Sequence, residues 1–207
     1  MVKIAVFYHL YQAGKWGQIL GKQASLMRSS GLLDATEFVS VGINGDIAME
    51  DSDKFVFYIN TEQEKEETPT LKRLMRFAKD NPEYKILYLH SKGADKNSSE
   101  IDDWRNLLNY FAIEKWKESV QLLKEYDAVG CNYSEDTWLG HYPHFSGNFW
   151  WANAEYINRL DNKFLESEPR WDREFWIGSG GGKMYSIHNS GVNHYTEKYE
   201  REKYVGR

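Results

Sequence analysis

The stretch Lys85-Ile86-Leu87-Tyr88-Leu89-His90-Ser91-Lys92-Gly93 changes character midway, when an apolar run gives way to an imidazole, a hydroxyl, an ammonium and a glycine. An unbroken apolar run of that length suits a strand covered on both faces, and Gly93 permits a sharp exit from it. Working outward, similar β-branched and aromatic runs occupy 3–8, 37–43, 54–59 and 128–132, so five strands are predicted. Helical periodicity fills several of the gaps. Trp16, Ile19, Leu20, Ala24 and Met27 share one face that ends at Gly31, a suitable C′ residue. Thr68-Pro69 reads as an N-cap followed by Pro at the first helical position, with Leu71, Leu74, Met75 and Ala78 as the buried stripe. Ser99-x-x-Asp102 has the form of a capping box and opens one long helix carrying Ile101, Trp104, Leu108, Phe111, Trp116, Val120 and Leu123. Strands alternating with helices predict an α/β fold whose mixed, mostly parallel sheet is flanked by helices.

The 207 residues are 41% apolar and 28% charged, which fits one globular domain over 1–207 and excludes collagen-like and disordered classes. The polar segment 196–207 reads as a C-terminal tail, as a helix or as the start of a linker to a further domain. Cys131 is the single cysteine, so no intrachain disulfide forms, and its apolar surroundings make it a small core residue. The run 4–8 is too short for the centre of a signal peptide, and no run reaches the ~20 apolar residues of a spanning helix. A net charge of −5 makes nucleic acid a poor partner and requires any anionic ligand to be met by locally placed cations. Aromatic residues are plentiful, with 8 Trp, 14 Tyr and 10 Phe, and their flat apolar faces suit sugar rings as well as protein cores.

In parallel α/β sheets ligands bind beyond the carboxyl ends of the strands, which makes the residues after each apolar run informative. His90 and Lys92 are two apart and share a strand face, an arrangement suited to a phosphate; the alternative is a surface turn with a solvated lysine. Arg105, on the following helix, either reaches back to that phosphate or forms a surface ion pair. Asp51-Ser52-Asp53 precedes the run 54–59 and reads as a solvated turn away from the cleft, and the charge run Glu62–Glu67 as a solvated loop. Gly178-Ser-Gly-Gly-Gly-Lys183 fails the spacing of a phosphate loop and reads as a flexible lid that brings Lys183 toward a ligand, or as a plain linker. Between about 133 and 182 strand and helix signals weaken, and irregular, site-forming structure is expected there. Within it, Ser146-Gly147-Asn148 offers small and amide groups to sugar hydroxyls, while Trp150 and Trp151 are assigned to the core. Glu174, and after it Asp172, are the acidic candidates for proton acceptance, because a carboxylate among aromatic side chains loses hydration and its pKa rises. The alternative for Glu174 is an ion pair with Arg170 or Lys183. No Gly-x-Ser-x-Gly elbow is present, and Val6–Tyr11 stands where a dinucleotide-binding enzyme would carry its glycine-rich turn.

Four blocks, Ile86–Gly93, Asp103-Trp-Arg105, Tyr126–Asn132 and His144-Phe-Ser-Gly-Asn-Phe-Trp-Trp151, resemble a group of viral and bacterial glycosyltransferases of the GT-A nucleotide-sugar fold. That group includes chlorella-virus capsid-glycan enzymes and relatives of rhamnan-synthesis transferases. The resemblance covers roughly 85–178; earlier, His9-Leu-Tyr11 and Ser30-Gly-Leu32 are compatible with it. It implies transfer of a sugar from a UDP- or TDP-sugar to a hydroxyl of a glycan or glycoprotein; the single cysteine suits a reducing compartment, so the cytoplasm is expected, which for a viral enzyme is that of the host cell. On this reading His9 and Tyr11 frame the base or ribose, His90, Lys92 and Arg105 meet the diphosphate, and Asn148 orients the sugar. Ser91, Gly93, Ser146 and Gly147 complete the donor site, with Glu174 or Asp172 as base. Many GT-A enzymes end the strand equivalent to 86–89 in Asp-x-Asp, which holds Mn²⁺ or Mg²⁺. Here His90-x-Lys92 takes that place and supplies positive charge directly, leaving His90, Asp95 and His188 or His194 as candidate ligands of a weaker metal site. The competing class is a non-catalytic carbohydrate-binding module using the same aromatics.

Overall fold

Side chains of β1 (Ile4–Tyr11) alternate between two cores. Ile4, Val6, Tyr8 and Leu10 enter one, Ala5 and Phe7 the other, as the two-residue period of a strand dictates. The computed structural model, which describes residues 2–52, 54–135, 142–169 and 171–206, places β1 inside a seven-stranded sheet. Along the sheet the strands are β3 (Phe55–Ile59), β2 (Phe38–Asn44), β1, β4 (Lys85–His90), β8 (Trp150–Asn153), β5 (Ala128–Cys131) and β9 (Met184–His188). β8 runs antiparallel to both its neighbours, and the other pairings are parallel. A separate small ribbon pairs β6 (Tyr133–Ser134) with β7 (His144–Phe145).

Helices cover both faces. α1 (Trp16–Ser29), α2 (Leu32–Ala35), α4 (Ser99–Asn109) and α5 (Trp116–Leu122) pack on the first. α3 (Thr68–Asp80), α6 (Ala154–Ile157), α7 (Lys163–Glu166) and α8 (Asp172–Trp176) pack on the second. The expected α/β class, the five expected strands and the left-handed Gly31 after α1 (φ +75°) are all present. Trp150 and Trp151 are buried in opposite cores, and Cys131 is buried. Among the described residues no helix is long and apolar enough to cross a membrane.

Several local expectations need correction. α4 is capped by Ser98, whose Oγ accepts from the Ile101 N–H at 3.2 Å, and not by Ser99. The long helix is broken by a π-turn, Tyr110–Glu114, within which the Ala112 carbonyl accepts from the Trp151 indole at 2.9 Å. Thr68 is inside α3, where its hydroxyl faces Leu165 and Arg173, so Glu67 stands at the cap position. The stretch expected to be irregular holds β8 and three short helices, because Trp150-Trp151 is covered on both faces and shows no polar alternation to mark it as a strand. The Gly178–Lys183 segment is not a lid. Gly178 packs on the Pro143 carbonyl, Gly180 and Gly182 pack on Tyr156, and Lys183 bonds through its backbone to Asp127 at the end of the sheet opposite the carboxyl end of β4. The polar segment after 195 docks on the body through buried Tyr199 and Tyr204 and a bidentate Arg201–Glu114 pair.

Candidate active site

The chain lays down β1, β2 and β3 in one direction across the sheet and then returns to place β4 on the other side of β1, so the carboxyl ends of β1 and β4 form a topological switch point. A cleft of about 620 Å³ lies there. Its lining includes His9 and Tyr11 from the end of β1, His90, Ser91, Lys92 and Gly93 from the end of β4, and Glu174 from α8. It also includes Glu67, which the charge-run reading had assigned to solvent. Asp51, by contrast, accepts from the Phe57 N–H ahead of β3, as its solvated-turn reading expects, while Asp53 lies outside the described residues.

Ser91 ties the two strand ends together. Its Oγ accepts from the Tyr11 N–H at 2.8 Å and its N–H donates to the His9 carbonyl at 3.0 Å. Gly93 turns the chain away with φ +69°, and a Cβ there would stand 2.3 Å from Ile101 Cγ2. Arg105 does not reach the cleft. Its buried guanidinium donates through Nη1 to the Lys92 carbonyl at 2.7 Å and through Nη2 to Asp102 at 2.6 Å, while Asp102 also takes Lys15. It therefore braces the 90–93 turn. The Lys92 ammonium sits 3.7 Å from the centroid of the Trp104 ring, and the residue borders the cleft.

Gly147 and Asn148 are both left-handed, at φ +96° and +56°, and make a turn that points three groups. The Gly147 carbonyl lies 3.0 Å from His90 Nε2, and the Gly147 N–H donates to Glu174 Oε2 at 3.4 Å. Asn148 is 1% exposed; its Nδ2 donates to Glu67 Oε2 at 2.8 Å and its Oδ1 accepts from the Trp150 indole at 2.8 Å. Asn148 thus positions Glu67, and neither Gly147 nor Asn148 borders the cleft. Ser146 and Asp172 do not border the cleft.

A carbonyl only accepts, so His90 carries its proton on Nε2. Burial pushes the His90 pKa down against the opposing pull of Glu67, which keeps the ring neutral and makes Nδ1 a hydrogen-bond acceptor. Burial would raise the Glu67 pKa, but the charge that His90 carries once it is protonated in acid, together with His9, the Tyr88 hydroxyl and Lys92, holds it below the ordinary carboxylate range. Tyr88 donates to Glu67 Oε2 at 2.6 Å, and burial and that carboxylate raise the phenol pKa well above normal, so it stays a donor. His9 meets Thr70 Oγ1 at 3.2 Å through Nδ1.

Of the residues considered for a metal, His90 and Asp95 both border the cleft, whereas His188 and His194 do not. Asp95 pairs with Lys96, His188 stacks on Phe111 and meets Tyr199, and His194 Nε2 is engaged by Ser190 and Asn132. No group of three or more metal-ligating side chains forms among the described residues. Arg170, the alternative ion-pair partner of Glu174, lies outside the described residues, and Lys183 lies over Tyr126. Sequence reasoning missed Glu67, although one signal was available: a residue at the N-terminus of the helix between two parallel strands lies at the carboxyl edge of the sheet.

A family model described as Domain of unknown function (DUF8361) matches residues 54–168, which span β3 to α7 and carry Glu67, His90, Lys92 and the Gly147-Asn148 turn. No curated protein matches the chain.

Proposed function

The chain belongs to the DUF8361 family, whose model covers more than half of it, and from its cleft we propose that it is a glycosyltransferase of GT-A type using a nucleoside-diphosphate sugar. One observation carries the reading: an ammonium, a neutral imidazole and carboxylates meet in a cleft at the switch point of a mostly parallel sheet, where such folds bind nucleotides. Lys92 supplies the positive charge for the diphosphate, and His90 Nδ1 and Glu67 accept from hydroxyls of the ribose or sugar. Tyr11, about half exposed at the rim, offers a face to the base.

In the transfer step the acceptor oxygen forms a bond to the anomeric carbon as the bond from that carbon to the diphosphate oxygen breaks. The electron pair leaves with the diphosphate, which Lys92 stabilises, and the acceptor proton passes to Glu174. The transition state has oxocarbenium character, which nearby carboxylates favour. The donor is UDP- or TDP-linked, the acceptor is a glycan or glycoprotein, and the setting is cytoplasmic.

A thermal-shift panel of nucleoside diphosphates, nucleotide sugars and free glycans tests this. A nucleotide ligand at 100 times its dissociation constant adds about 2.7 kcal/mol, a rise of roughly 5–10 °C for a chain of this size. Stabilisation by glycan alone, with none by any nucleotide, would favour the binding-module class and refute the transferase.

A further inference from the structure

Trp171 borders the cleft yet is 63% exposed, an unusual position for an indole. Its segment is not loose. Arg173, two residues on, is buried and donates from Nε to Thr68 Oγ1 at 3.0 Å and from Nη1 to the Ser167 and Pro169 carbonyls at 2.5 and 2.8 Å. This anchor fixes the start of α8 to the start of α3, beside Glu67. The Glu174 N–H donates to the Trp171 carbonyl at 2.9 Å, so the two residues sit one turn apart, and both border the cleft. An exposed indole and a carboxylate thus line one wall of the cleft, on a backbone segment that Arg173 anchors.

We infer that Trp171 is the platform of an acceptor subsite and that the acceptor is a neutral pyranose ring of a glycan; this rests on the transferase reading. A pyranose has an apolar C–H face and an edge of hydroxyls, which match the indole face and the Glu174 carboxylate respectively. The ring stacked on Trp171 presents its hydroxyl to Glu174 for deprotonation. A serine side chain or a lipid alcohol brings a hydroxyl but no flat apolar face to cover the indole. Glu64 and Glu66 also line the cleft and disfavour an acidic sugar.

Saturation-transfer NMR with methyl pyranosides of gluco, galacto, manno, xylo and rhamno configuration, recorded with UDP present, tests the subsite. At least one pyranoside is expected to bind through its C–H face, Trp171→Ala to weaken it about tenfold or more, and Trp171→Phe to retain part of the affinity. UDP affinity should be the same in both variants. Normal UDP binding with no pyranoside bound, or equal pyranoside binding in Trp171→Ala, overturns the subsite and leaves the nucleotide reading standing. So does capture of a serine-threonine peptide in place of every sugar. Trp171-dependent pyranoside binding by a protein that never binds UDP or TDP supports the platform and refutes the transferase.

Discussion

Replacing Glu67 by Gln keeps the side chain's shape and removes its charge, and so isolates what the carboxylate contributes. Oε2 accepts from the Tyr88 hydroxyl at 2.6 Å and from Asn148 Nδ2 at 2.8 Å, and an amide oxygen can take both bonds. Charge-assisted bonds contribute about 1.5–3 kcal/mol and neutral ones about 0.5–1.5, so the two together lose roughly 2 kcal/mol at pH 7. The folded pKa lies below that of an unfolded carboxylate, about 4.3. The stabilisation is therefore complete above that value and is lost as pH falls through the folded pKa. Urea unfolding should show Glu67→Gln with a midpoint about 1 M lower at pH 7, an unchanged slope, and a gap that narrows below about pH 4. Equal midpoints at pH 7, or a gap that persists unchanged in acid, would refute the ionised, doubly bonded Glu67.

Gly147→Ala places a Cβ 2.7 Å from Leu108 Cδ1 on a backbone at φ +96°, so urea unfolding should report a loss of about 2–5 kcal/mol. An unchanged midpoint would mean that the turn is not tightly packed. Glu174→Gln should lower turnover ~10²–10⁴-fold while leaving UDP affinity within about threefold, as expected for loss of a base; undiminished turnover would remove Glu174 from the chemistry.

The sheet was legible because β1 and β4 are covered on both faces and read as unbroken apolar runs, and the rule for strand ends led directly from Leu89 to His90 and Lys92. Glu67 was hidden by its neighbours. Composition treats Glu62–Glu67 as one solvated run, whereas the fold separates its last member by placing it at the start of α3, against Tyr88 and Asn148. Arg105 and Asn148 were recognised as polar groups near the cleft, but whether a polar group serves a ligand or a neighbour depends on long-range contacts. Arg105 is spent on Lys92 and Asp102, Asn148 on Glu67 and Trp150. β9 escaped because Met184–His188 is only half buried and follows a glycine run that suggested mobility.

Calorimetric titration of UDP into the EDTA-treated protein and into Lys92→Ala tests the central claim, a nucleotide-diphosphate site at the end of β4. One site is expected in the unaltered chain, with an affinity about 10–150-fold weaker in Lys92→Ala, the equivalent of one charge-assisted bond of about 1.5–3 kcal/mol. Absence of UDP binding, or the same affinity in both proteins, would contradict it.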